Sequence, residues 1–110
     1  MSYDITNPLY PKPAYNASGI IASQSLTVST SSVSFATAYD QTFVRTVSLD
    51  IQDYDVRVRF DGTAPTSTVG HVLPASTAYE WSVSRFNNAK FIRDTSATGN
   101  ATVFASPNAS

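Results

Sequence analysis

Apolar residues alternate with Ser and Thr along most of this chain, and the alternation has a period of two. Leu26 and Val28, then Val33 and Phe35, fall on alternate positions among hydroxyl residues. Between Thr42 and Ile51, the residues Phe43, Arg45, Val47, Leu49 and Ile51 share one parity, and Val44, Thr46 and Ser48 the other. Val56-Arg57-Val58-Arg59-Phe60 is the clearest strand. Val56, Val58 and Phe60 are expected inside and Arg57 and Arg59 outside, because successive strand side chains point to opposite faces. A helix would scatter the same residues around its circumference.

Turn chemistry separates these stretches. Asp50, Asp53 and Asp55 around Tyr54 mark one turn, and Asp61-Gly62 stops the next strand because Gly tolerates positive φ. Thr63 to Gly70 reads as a loop, Val72-Leu73 as a short strand ended by Pro74, and Ala78 to Val83 as a strand with Tyr79, Trp81 and Val83 on one face. Asn87-Asn88 is a turn signal. Lys90 to Asp94 and Ala101 to Phe104 read as a hairpin through Ser96 to Asn100. No window sustains a 3.6-residue period. The pattern predicts an all-β fold, an antiparallel β-sandwich or jelly-roll-like barrel of about seven or eight short strands.

Residues 1–19 differ from the rest. Pro8, Pro11 and Pro13 exclude helix and disfavour a ladder, yet Ile5, Leu9, Tyr10 and Tyr15 are too apolar for a solvated linker. They read as an extended Pro-rich N-terminal arm lying on its own domain or on a neighbour. Residues 20–110 form the β-sandwich domain.

A length of 110 residues suits one domain with little stability to spare. Net charge is −1 and only 14% of residues are charged, while Ser and Thr make up roughly a quarter of the chain. The basic residues Lys12, Arg45, Arg57, Arg59, Arg85, Lys90 and Arg93 do not cluster, so nucleic acid is not an expected partner. No basic amphipathic helix or long apolar run points to a membrane. The acid in Met1-Ser2-Tyr3-Asp4 and the missing apolar core argue against a secretory leader, and the expected site of synthesis is a cytoplasm. Cysteine is absent, which removes disulfides and thiolate metal sites. A neutral polar surface can enter an interface without the desolvation cost of charge.

The candidate chemistry is thin. His71 is the one histidine, and no Gly-x-Ser-x-Gly elbow presents a nucleophile beside it. It reads as a loop or strand-end residue bonded to backbone. Glu80, the single glutamate, reads as a solvent-facing strand residue opposite a basic neighbour rather than half of a glycosidase pair. The aspartates from Asp50 to Asp55 lack the EF-hand glycine and closing glutamate. Tyr79, Trp81 and Phe86 would suit a sugar-stacking platform, but Tyr79 and Trp81 share a parity and read as core. Three sequons, at Asn16, Asn100 and Asn108, carry no weight in so Ser/Thr-rich a chain. No enzymatic activity, cofactor or metal is expected. Arg57 and Arg59, joined by Arg45 from an adjoining strand, form either cross-strand ion pairs or a docking face for an acidic partner.

The run Val56 to Thr66, with Asp61-Gly62-Thr63-Ala64-Pro65, then Gly70-His71 and Ala89-Lys90-Phe91-Ile92-Arg93-Asp94-Thr95 leading to Val103-Phe104, resembles a group of small virion proteins of tailed bacteriophages and prophages. The resemblance covers about the second half of the chain. It implies a structural role in a virion assembled in the host cytoplasm. The Pro-rich arm and neutral surface favour a capsid cement or decoration protein, acting as a homotrimer on the major capsid protein and bridging capsomers. The arm (Ile5, Leu9, Tyr10, Tyr15) and Arg57 and Arg59 are the expected contact residues. A neck, tail or baseplate component is the nearest alternative, and a carbohydrate-binding module the alternative of another class.

Overall fold

A computed structural model describes residues 12–17 and 19–109. It has nine strands and one short helix: β1 (Tyr15–Asn16), β2 (Gly19–Ile20), β3 (Gln24–Val28), β4 (Thr46–Gln52), β5 (Val56–Arg59), β6 (His71–Leu73), β7 (Thr77–Ser82), α1 (Val83–Asn88), β8 (Lys90–Arg93) and β9 (Ala101–Asn108). All pairing between named strands is antiparallel. Seven strands make a sandwich-like pair of sheets, ordered β3-β9-β4-β7 and β6-β5-β8, and β1-β2 is a separate ribbon. The all-β class read from the alternation therefore holds.

Period-two patterning decides what is inside. Val47, Leu49 and Ile51 of β4, Val103 and Ala105 of β9 and Val28 of β3 are buried, as are Val56 and Val58 of β5 and Phe91 of β8. Trp81 stacks on Phe91 across the sheets at 6.1 Å between ring centroids, and Phe60 meets Trp81 edge-on at 4.9 Å. At the far side of Phe91, Phe35 packs edge-on at 5.8 Å and leads on to Phe86 and Tyr39. Burial raises the pKa of the Tyr39 phenol, which donates to the Ala22 carbonyl at 2.9 Å.

Several local expectations are corrected. Lys90–Arg93 and Ala101–Asn108 do not pair as a hairpin: β8 bonds to β5, and β9 inserts between β3 and β4. The intervening turn carries the chain from one sheet to the other. Asp94 drives that turn by accepting bonds from the Ser96 backbone N–H (3.0 Å) and hydroxyl (2.7 Å), while Arg93 Nη2 donates to the Ala97 carbonyl at 2.9 Å. The strand expected from Thr42 starts only at Thr46. The Asp40 carboxylate accepts from the Thr42 N–H at 2.8 Å, and the Phe43 and Val44 amides donate to the Asp40 carbonyl. This turn reverses the parity, leaving Phe43 37% exposed and Val44 fully buried. Val33 and Phe35 form no strand: Val33 only bridges Phe91, sealing the outer edge of β8.

Helix α1 was not legible as a period. Ser82 caps it by accepting from the Arg85 N–H, Val83 and Phe86 place one buried stripe at i and i+3, and Asn88 Nδ2 returns to the Ser84 carbonyl. The N-terminal segment also differs from a plain arm. Ile5, Leu9 and Tyr10 lie outside the described residues. Pro13 sits opposite Asn108, where the bonds are made by the Lys12 carbonyl (from Ala109 N–H, 2.9 Å) and the Ala14 N–H (to the Pro107 carbonyl, 3.3 Å). The proline is therefore not asked for the N–H it lacks. Gly19, at φ 123°, closes the β1-β2 ribbon.

Replacing Phe91 removes contacts to both sheets at once. Phe91→Ala is expected to lower the unfolding free energy by about 3–5 kcal/mol, against about 1 kcal/mol or less for the solvent-facing Thr27→Ala. Urea unfolding followed by circular dichroism checks both.

Candidate functional site

Two surfaces stand out once the side chains are placed. The first is the outer face of the larger sheet. Register lines up Ser25, Phe104, Asp50 and Ala78 in one row, Thr27, Thr102 and Gln52 in the next, Ser106, Ser48 and Glu80 on the other side, and Asn108, Thr46 and Ser82 beyond. Hydroxyls dominate, Asp50 and Glu80 are the only charges in these rows, and Phe104 stands near the middle at 39% exposure. Side-chain bonds flatten one end: Asn108 Nδ2 donates to Ser48 Oγ (2.8 Å) and Thr46 Oγ1 (3.3 Å), and Thr46 donates to Glu80 at 2.7 Å. Glu80 thus meets a threonine rather than the basic neighbour expected. Asn108 is only 7% exposed and bonded, so its sequon is not presented to solvent.

The second surface is a groove on the open side of the sandwich, between the free edges of β6 and β7. Phe60, His71, Leu73, Tyr79, Trp81 and Arg85 line about 290 Å³ of space, continuous through Phe60 and His71 with a wider trough beside Gly70. The Phe60 and His71 rings lie 5.9 Å apart, Tyr79 and Trp81 6.3 Å apart, and the Arg85 guanidinium carbon sits 4.8 Å above Phe60. Sequence reasoning missed this grouping. Its members come from β5's end, β6, β7 and α1, and no local pattern says that β6 faces β7 across the sandwich. His71 is the first residue of β6 and is exposed. Among the described residues no three His, Cys, Asp or Glu side chains group as metal ligands.

The expected contact residues separate. Tyr15 pairs with Ile20 across the ribbon, leaving them 47% and 66% exposed as an apolar tip. Arg57 and Arg59 share the outer face of the smaller sheet, but each has an acid. Arg57 Nε donates to Asp94 at 2.6 Å and its Nη1 to the Gly70 carbonyl at 3.0 Å; Arg59 grips Asp61 through two bonds of 3.2 and 2.5 Å. Arg45 does not join them, since it precedes β4 in the other sheet. The Tyr79–Trp81–Phe86 platform is not presented either: Trp81 is 7% and Phe86 2% exposed. Gly70 (φ 136°) is needed where it stands, because a Cβ there would lie 3.1 Å from the Val58 carbonyl.

No family model, curated protein or solved structure matches the chain.

Bonds from the Ser96 hydroxyl and amide, then Arg57, hold the Asp94 carboxyl at about 2, below its ordinary 3.8. A depressed folded pKa stabilises the fold above the ordinary value, and that contribution disappears as pH falls from about 4 through about 2. Asp94→Ala should therefore cost about 2 kcal/mol at neutral pH, by stranding Arg57 and freeing the turn, and should flatten this acid limb; urea midpoints measured across the range check it. Asp40 and Asp61, whose pKa values are also lowered by bonds to the Thr42 amide and to Arg59, keep a residual acid dependence in the variant. Trp81, the single tryptophan, should emit at short wavelength and resist acrylamide quenching, which a steady-state fluorescence titration measures.

Proposed function

We propose that this chain is a structural component of a bacteriophage particle, a capsid cement or decoration protein that docks on the major capsid protein and joins neighbouring capsomers. The resemblance of the Val56–Thr66 and Ala89–Thr95 stretches to small virion proteins motivates the reading. The observation that carries it is the outer face of the larger sheet, with the exposed Phe104 amid hydroxyls and two acids.

Such a face can be desolvated cheaply over a broad area, because few charges have to leave water. Four strands of this length present roughly 19 × 24 Å, on the order of 400 Å². That is about half of what one partner contributes to a standard stable interface. One copy would bind weakly, and a symmetric trimer engaging several shell subunits at once would bind far more tightly through effective concentration. The exposed Tyr15–Ile20 tip offers each copy a second apolar contact.

The test is to separate heads from tails of particles that carry the protein and to measure its amount on each. At least one copy per capsomer on heads is the expected result. A few copies confined to tails would move the role to the neck or baseplate, and absence from both would end the structural reading. Phe104→Asp should leave the fold intact and weaken attachment to heads by about tenfold or more, as a central interface aromatic does; co-sedimentation with heads measures it.

A further inference from the structure

The aromatic groove is a surface that the shell reading leaves unused. Its walls are the two strands at sheet edges, β6 and β7, whose outer backbone groups have no partner strand among the described residues. Neither edge carries the lysine, internal proline or bulge that usually blunts an edge. Its floor is aromatic, with Phe60, Tyr79 and Trp81, and His71 and Arg85 stand at its rim. Arg85 makes no ion pair among the described residues. Aromatic grooves of this kind take polyproline segments, which bring little conformational entropy to lose and offer carbonyls rather than N–H groups.

The chain itself carries such a segment. Pro8-Leu9-Tyr10-Pro11-Lys12-Pro13 places prolines at positions 8, 11 and 13, and Asp4 is the only charged side chain ahead of Lys12. The four residues Pro8 to Pro11 would extend about 12 Å as a polyproline helix, which fits within the roughly 20 Å of the six-residue β7. Arg85, free of an ion pair among the described residues, can donate guanidinium N–H groups to the carbonyls such a segment exposes.

Geometry decides whose groove receives it. Pro13 is fixed opposite Asn108, on the side of β9 that faces β3. The groove lies past β7, three strand spacings or about 14 Å away, and around the sheet edge. Pro11 reaches about 7 Å from Pro13, and even Pro8 reaches only about 17 Å along a straight line. A segment tethered there cannot lie along its own groove. We infer that Pro8–Pro11 of one copy docks in the groove of a second copy formed by Phe60, His71, Leu73, Tyr79, Trp81 and Arg85. Arm and groove are different surfaces, so the contact is head-to-tail, and closing it gives a ring. This inference does not rest on attachment to a shell.

The chain has no cysteine, so an engineered pair reports one contact. Full-length protein carrying Leu9→Cys and His71→Cys is oxidised over a range of concentrations and resolved without reductant. Interchain-linked species are expected, at about tenfold the yield of a Leu9→Cys/Ser25→Cys control, whose second site lies on the sheet face. A link only within one chain would overturn the proposal, as would a yield equal to the control. Sedimentation of cysteine-free variants gives a second reading. Arg85→Glu should weaken self-association about tenfold, and so should Pro8→Gly with Pro11→Gly, which alters no residue of the sandwich. Association unchanged by both would equally overturn it. Phe104→Asp should leave the crosslink intact while weakening head attachment, which separates the two proposals.

Discussion

The contact between Trp81 and Phe91 is the seam on which the fold depends. A chain with no disulfide and a small core must join its sheets through few large side chains. Phe91 receives Trp81 on its face and Phe35 at its edge, and Phe60, Phe86 and Tyr39 extend the series to both ends of the sandwich. Offset and edge-on aromatic pairs add to the area they bury. The seam also explains why the tryptophan is only 7% exposed, although the same cluster lines the groove at its open side.

Polar groups do a different task, holding the crossings between sheets. Arg57 ties Asp94 to the Gly70 carbonyl and so joins the turn before β9 to the loop before β6. The Asp55 carboxylate accepts from the Ala75 N–H at 2.7 Å and links the β4–β5 crossing to the β6–β7 crossing. Every buried side-chain polar atom among the described residues has a partner. Arg57, which looks like a surface charge in the sequence, is therefore a fastener.

Much of the architecture is written in the alternation. Val56-Arg57-Val58-Arg59 is a strand with the parity expected, and Tyr79 and Trp81 face inward as their spacing implies. The failures have definite causes. Phe43 and Val44 exchange places because Asp40 nucleates a turn that a parity count does not register. The β8–β9 pairing is misread because a Gly-containing connection serves a hairpin and a sheet-to-sheet crossing equally well, and only the long-range partners of each strand decide. Helix α1 is shorter than two turns, so its stripe of Val83 and Phe86 cannot establish a period. The groove is illegible for a related reason, since Phe60, His71, Tyr79 and Arg85 meet only when two sheets close. Tyr15, an expected contact residue, is exposed, and Phe104, which reads in the sequence only as a strand residue, is 39% exposed near the centre of the outer face.

The strand order also governs how the protein is made. β9 occupies the interior of the larger sheet, between β3 and β4, yet it follows all the other described strands in the chain. Until residues 101–108 exist, β3 has no neighbour and β4 shows one unpaired edge beside an apolar stripe. A nascent chain in that condition is a ready template for pairing with other chains.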